Sequence, residues 1–169
     1  MTDDAALTWI RQMHALVDGL VAETAARHGD KLACRRGCSG CCVDDLTVFG
    51  IEAARIRIEH PDLLSDEDAH PLGACAFLHS DGACRVYESR PYVCRTQGLP
   101  LRWLEEDAEG MFESRDVCPV HGDAIGPLTT LEADACWTLG PFEDRLAAVQ
   151  EATTGELDRV SLRALFSSN

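Results

Sequence analysis

Nine cysteines are the residues of this chain that could do chemistry, and eight of them form an ordered series. Four stand together as Cys34-x3-Cys38-x2-Cys41-Cys42, followed by Cys75, Cys84, Cys94 and a late Cys118-Pro119. Spacings of two and three residues let a looped backbone turn several sulfurs toward one centre. Ligation by thiolates alone suits Zn²⁺ and iron–sulfur clusters alike. Consecutive side chains diverge, so adjacent Cys41 and Cys42 do not readily share one tetrahedral ion. Two centres, or one polynuclear centre, use them more naturally. Eight thiolates can make two four-thiolate sites, or one such site and a redox-active remainder. The reading leans to iron–sulfur, with zinc close behind.

Disulfides are the competing use of so many thiols. An odd number cannot pair completely, and neighbouring cysteines are an awkward start for a disulfide framework. The N-terminus, Met1-Thr2-Asp3-Asp4, is acidic and has no apolar stretch of the secretory kind behind it. No apolar run approaches the ~18 residues of a membrane span. The expectation is a cytoplasmic protein with reduced thiols.

The rest of the composition narrows the function classes. A chain of 169 residues suggests a single domain, 1–169, with its cysteine-cluster region at about 31–125. Net charge is −14, which argues against a nucleic-acid partner and against an anionic membrane surface. Of the fifteen basic residues only Lys31 is lysine. Arg35, Arg85 and Arg95 each follow a cysteine directly, with Arg36 and Arg90 close by. Guanidinium groups so placed would lower the electrostatic cost of a thiolate site and help keep its sulfurs ionised.

Around these residues the elements read as α+β, with helices at both termini around an irregular, metal-stapled core. Leu7, Ile10, Met13, Leu16, Val17, Leu20 and Val21 recur at helical spacing within 5–28. Asp45 to Val48 reads as a short extended piece, and Ile51 to Glu59 as a helix ending before Pro61. His60 to Gly73 reads as polar surface loop. Cys75–Leu78 and Ala83–Val86 flank Ser80-Asp81-Gly82, a hairpin signal. Pro91 suits the start of a short helix carrying Cys94. Leu101–Leu104 and Met111–Arg115 predict a second hairpin. Thr130–Leu139 and Phe142–Ala152 read as helices, and Val160–Phe166 as helix or strand. Segments this small and irregular need a staple, which a metal provides.

The cysteine series resembles the YkgJ-like cysteine-cluster family of bacteria, zinc- or iron-chelating domains of CxxCxxCC type. The residues that carry the likeness are the C-x3-C-x2-CC cluster, Cys75-x-Phe77-Leu78, the block Cys84-x-Val86-Tyr87-x-x-Arg90-Pro91-x-x-Cys94-Arg95, and Cys118-Pro119. They span Cys34 to about Ile125. The family more often has two residues between its first cysteines, where this chain has Arg35-Arg36-Gly37. The resemblance implies metal binding by Cys34, Cys38, Cys41, Cys42, Cys75, Cys84, Cys94 and Cys118, the cofactor being a [4Fe–4S] or other iron–sulfur cluster, or Zn²⁺. A related cysteine domain in flagellin lysine N-methylases implies an alternative, an iron–sulfur enzyme of S-adenosylmethionine-linked methyl transfer. A structural zinc module for protein interaction is a second alternative.

Cys34-x3-Cys38-x2-Cys41 also has the spacing of the radical S-adenosylmethionine signature. The strand–helix alternation of a partial barrel is missing, which argues against a standard radical enzyme. The remaining residues have plainer expectations. Cys136, beside Trp137 in a helical pattern, reads as a buried small hydrophobe. His79 and His121 lie near cysteines but in polar turn sequence, and read as exposed loop histidines. His14, His28, His60 and His70 show no partner pattern. Tyr87 and Phe77 are expected to pack over the sulfurs, and Arg90 and Arg95 to donate to them. Asp44-Asp45 and Asp66-Glu67-Asp68 read as solvated loop charge. No Walker loop, dinucleotide fingerprint or nucleophile elbow occurs.

Overall fold

The computed structural model describes residues 1–167. Helix α1 spans Asp3–Ala26, capped by the Thr2 side chain and carrying Asp3 and Asp4 in its first turn, where the helix dipole favours them. Its buried face is Ala6, Ile10, Met13, His14 and Val17, the stripe that the periodicity predicts. A turn at Gly29–Lys31 leads into the first cysteine loop. Strand β1 (Thr47–Phe49) runs straight into α2 (Gly50–Glu59), and α3 (Pro61–Asp66) follows. After the middle cysteines comes α4 (Tyr92–Arg95). Strands β2 (Leu101–Asp107) and β3 (Gly110–Asp116) form a hairpin. Then come β4 (Trp137–Thr138), α5 (Pro141–Thr154) and β5 (Arg159–Ser161).

The class is α+β with two small sheets. β1 pairs antiparallel with β5, Val48 opposite Val160. β2 pairs antiparallel with β3 from Leu101↔Asp116 to Asp107↔Gly110, and parallel with β4 over two residues. No helix among the described residues is long and apolar enough to cross a membrane.

Two cores flank α2. The first packs Ile10, Met13 and Val17 of α1 against Phe49, Ile51, Tyr92, Leu99, Trp137 and Leu146. The second gathers Val48, Ala53, Ile56, Phe77, Val86, Leu162 and Leu165, and includes Cys75. Buried polar groups tie the pieces. Glu52 accepts the amide of Phe49 at 3.3 Å and that of Tyr92 at 2.7 Å, so α2 fixes the entrance to α4. The Trp137 indole donates to the Tyr92 hydroxyl at 2.8 Å, and the Ile51 amide to Gln150 at 3.0 Å. Each buried polar atom so satisfied avoids a desolvation penalty of about 1–3 kcal/mol.

Three local expectations are corrected, and one left open is divided. Part of the loop at 60–73 is helix α3, because Pro61 opens a turn whose Leu63 and Leu64 pack on the second core. The hairpin at Cys75–Val86 shrinks to one bridge, Leu78↔Cys84, closed through His79 and Ala83. Thr130–Leu139 is not helical. It makes tight turns at Leu128–Thr130 and Ala133–Ala135, then extends as β4, because Trp137 donates to Pro100 at 2.7 Å and Leu139 to Arg102 at 2.9 Å. Val160–Phe166 divides between β5 and a 3₁₀ turn at Arg163–Ser167.

Candidate metal centre

The first cysteine loop is built from consecutive tight turns. Cys38 donates to the carbonyl of Arg35 and Cys42 to that of Ser39, both at 2.9 Å. Gly37 makes the reversal with φ +91°, a conformation glycine adopts without strain. The Cys75 amide donates to the carbonyl of Cys42 at 2.9 Å, which joins the middle cysteines to the first cluster. Cys94 arrives on α4, whose position Glu52 sets.

Seven cysteines line one cavity of about 230 Å³: Cys34, Cys38, Cys41, Cys42, Cys75, Cys84 and Cys94. Apolar side chains complete much of its wall, among them Val21 and Ala25 of α1 and Leu32, Leu46 and Leu99. No histidine or carboxylate lines it among the described residues. Cys118 is not in the wall, yet its charge acts on Cys34. All nine cysteines are free.

Burial pushes the Cys34 thiol up to about 11, helped by the charges of Cys38, Cys41 and Cys118. Burial likewise raises Cys94 to about 12, with Cys75, Cys84 and Cys41 adding to it. Burial raises Cys75 and Cys84 too, and the guanidinium of Arg85 works against that rise at both. Cys41 and Cys42 act on each other, so that Cys41 is held low and Cys42 high. Most of these sulfurs therefore keep their protons until a cation competes for them. As they stand, no three His, Cys, Asp or Glu groups among the described residues are drawn around a point that would hold one ion.

Several neighbours differ from expectation. Arg90 and Arg95 line the cavity, but both pair with Asp18 of α1, Arg90 at 3.2 Å, rather than donating to a sulfur. The polar face of a helix more than 70 residues upstream supplies that partner. Arg95 also donates to the carbonyl of Glu88 at 2.8 Å, and its buried Nε has no partner among the described residues. Tyr87 is in the wall, held between Arg36 at 5.1 Å and Arg90 at 4.2 Å from its ring centre. Phe77 lies instead in the second core, 4.9 Å from the ring of Phe166, and does not line the cavity.

His79 is exposed beside Asp81, as expected of a loop histidine. His121 is buried, at 5 % exposure, contrary to expectation. Its Nδ1 accepts the Ala33 amide at 2.8 Å and its Nε2 donates to the Gly98 carbonyl at 2.8 Å. With both nitrogens engaged, the ring joins the segments that carry Cys34 and Cys118. Cys136 is buried away from the cavity, among the charges of Arg115, Glu113 and Arg102. It sits in extended backbone rather than a helix.

Gly98 is the position that cysteine spacing overlooks. Its φ is +91°, and a Cβ there would lie 2.7 Å from the Cys34 sulfur. The chain turns against Cys34 only because that atom is missing. A Gly-Leu-Pro turn signal at Gly98-Leu99-Pro100 marks the bend but not its neighbour.

The donor chemistry fits a soft metal: sulfur alone, in a largely apolar cavity edged by arginines. No curated protein and no solved structure matches the chain. The model of the family described as "CxxCxxCC: Putative zinc- or iron-chelating domain" matches residues 33–119, a stretch that holds all eight cysteines of the series, and the chain belongs to that family.

Proposed function

We propose that this chain holds metal through the thiolates of Cys34, Cys38, Cys41, Cys42, Cys75, Cys84, Cys94 and Cys118, with an iron–sulfur centre as the first occupant and Zn²⁺ as its competitor. The convergence of seven of these cysteines on one cavity carries the reading. A single zinc ion, at about 2.3 Å from each sulfur, draws its ligands to roughly 3.8 Å from one another. Seven sulfurs on one cavity exceed the four that a single tetrahedral ion takes, which supports a polynuclear centre or a pair of centres over one mononuclear ion.

The protein's part is to present thiols whose burial favours the protonated form, so that a metal replaces protons and the release is measurable. Arg90 and Arg95 bring positive charge to the wall against the negative charge that thiolate ligation leaves there. Because α1 supplies Val21 and Ala25 to the same wall as the central loops, we take residues 1–169 as one domain built around the cavity.

Metal and inorganic sulfide measured on protein purified without oxygen test the reading. Iron with matching sulfide is expected. Zinc without sulfide replaces the iron–sulfur occupant but keeps the thiolate centre. Protein that is folded and carries neither metal overturns the proposal.

A further inference from the structure

We infer that Arg163 is a positioning residue of the metal centre proposed above, binding together the segments that carry Cys42 and Cys75 from beyond the stretch that matches the family. This rests on the metal-binding reading and adds to it a residue outside the cysteine series.

Arg163 opens the 3₁₀ turn after β5, outside residues 33–119, and does not line the cavity. Its Nε donates to Oδ1 of Asp44 at 2.9 Å, and Nη2 lies 2.8 Å from the same oxygen. Nη1 donates to the carbonyl of His70 at 2.6 Å and Nη2 to that of Ala74 at 2.8 Å. The second oxygen of Asp44 accepts the Gly73 amide at 2.9 Å. Asp44 stands two residues after Cys42, and Ala74 immediately precedes Cys75. Between these anchors the Cys75 amide donates to the Cys42 carbonyl at 2.9 Å. One guanidinium therefore spans the two stretches of chain that meet at those cysteines. Asp44, expected as solvated loop charge, is instead its carboxylate partner, with a side chain only 15 % exposed.

The last segment of the chain delivers Arg163 to this point. β5 pairs with β1, and the Leu162 amide donates to the Leu46 carbonyl at 2.9 Å. Leu162 and Leu165 pack in the second core with Cys42, Cys75 and Cys84. The Phe166 ring centre lies 5.1 Å from the guanidinium of Arg85, the residue after Cys84, which donates to the Ala76 carbonyl at 2.6 Å. Residues 67–75 form no helix or strand, so their carbonyls depend on donors such as Arg163. A planar fork of five donors serves a carboxylate and two carbonyls in one placement, where a lysine ammonium is a point charge with three.

Arg115 supplies the control. It pairs with Glu113 and donates to the carbonyls of Leu128 at 2.8 Å and Leu131 at 2.6 Å, so it is the same kind of clamp, and neither it nor those partners line the cavity. Both Arg163→Ala and Arg115→Ala are expected to lower the urea midpoint. Metal release to a chromogenic chelator, from protein purified without oxygen, separates them. Arg163→Ala is expected to release metal about tenfold faster than the native chain, the scale of one or two lost hydrogen bonds. Arg115→Ala is expected to release it at the native rate, and Arg163→Lys, which keeps the charge without the fork, to fall between native and Arg163→Ala. Native release by Arg163→Ala, or equal acceleration in both alanine variants, overturns the inference.

Hydrogen exchange of the Cys75 amide, read on the same proteins, does not depend on metal. That amide is expected to exchange about tenfold faster in Arg163→Ala than in the native chain, and at the native rate in Arg115→Ala. Equal protection in Arg163→Ala and native protein overturns the clamp. Where Arg163→Ala does not fold, Asp44→Asn, which removes the charge and keeps the shape, takes its place with changes in the same direction. A native chain that carries no metal fails the binding reading, while the exchange result still judges the clamp, so the two failures are distinguishable.

Discussion

His121 donates from Nε2 to the carbonyl of Gly98 across 2.8 Å, with the ring 5 % exposed. The Ala33 amide on Nδ1 leaves the proton on Nε2 and fixes the tautomer. A histidine three residues after a cysteine resembles a ligand, but this one is structural, since neither nitrogen is left for a metal.

His121→Ala should therefore weaken the fold and spare the metal stoichiometry. Two polar groups lose their partner, at about 1–3 kcal/mol for each that stays buried. A lower urea midpoint with unchanged metal per chain is expected. Loss of metal from a protein that remains folded would instead make His121 a ligand.

Gly98→Ala should be worse than an ordinary loop substitution. The new Cβ meets the Cys34 sulfur at 2.7 Å, and φ +91° adds roughly 1–2 kcal/mol of backbone strain. Cys34 must move, so metal content and thermal midpoint should fall together. An alanine variant with both unchanged would show that the turn relaxes freely.

Cys136→Ser should keep the full metal complement, because the side chain lies outside both the cavity and the stretch 33–119 that the family model matches. Placing a hydroxyl at a site 6 % exposed costs on the order of 1–3 kcal/mol if it finds no partner. Metal analysis beside Cys94→Ser is the check, and equal losses would refute the assignment.

Alkali should destabilise the metal-free chain. Burial, with the charges of nearby cysteines, raises the folded thiols of Cys34 to about 11 and Cys94 to about 12. The unfolded chain loses these protons from about pH 8.5, so between that value and 11–12 the folded form binds more protons and stability falls as pH rises. Urea midpoints taken from pH 8 to 11 should drop in the metal-free form. Metal-loaded protein, with those protons already displaced, should be less sensitive over the same range.

Acid acts through a different group. Burial lowers His14, whose Nε2 donates to Glu52 at 3.3 Å while Nδ1 accepts from Arg55 at 2.7 Å. The unfolded histidine takes up a proton near pH 6.5 and the folded one resists it, so the contribution of His14 to stability is present above that pH and declines below it. Resonances of the His14 ring followed by NMR should show a titration midpoint below 6.5. A midpoint at or above 6.5 would contradict this.

What could be read without the structure was local. The stripe from Ala6 to Val17, the Asp-Gly turn beside Cys84 and the strand pattern of β2 and β3 all arise within a few residues of one another. The family's cysteine series was readable because its spacing is a local property. What escaped was decided by distant partners. Trp137 became strand rather than helix through the carbonyl of Pro100. Asp18, on a helix remote in sequence, took the arginines expected at the sulfurs. The burial of His121 depends on Ala33 and Gly98, which polar turn sequence does not announce.

The packing of Cys42, Cys75 and Cys84 in the second core places two demands on the same atoms. A residue there must be small and apolar enough to be buried with Val48 and Leu165, and it must also offer a soft donor. Valine meets the first demand and serine neither well, which leaves cysteine almost alone. Cys34, Cys38, Cys41, Cys94 and Cys118 lie outside both cores, and of the two demands only chelation, as proposed, would bear on them. Sequence drift among relatives should thus be slower at the packed cysteines, where losing the proposed ligand also leaves a hole in the core, than at the five outside it.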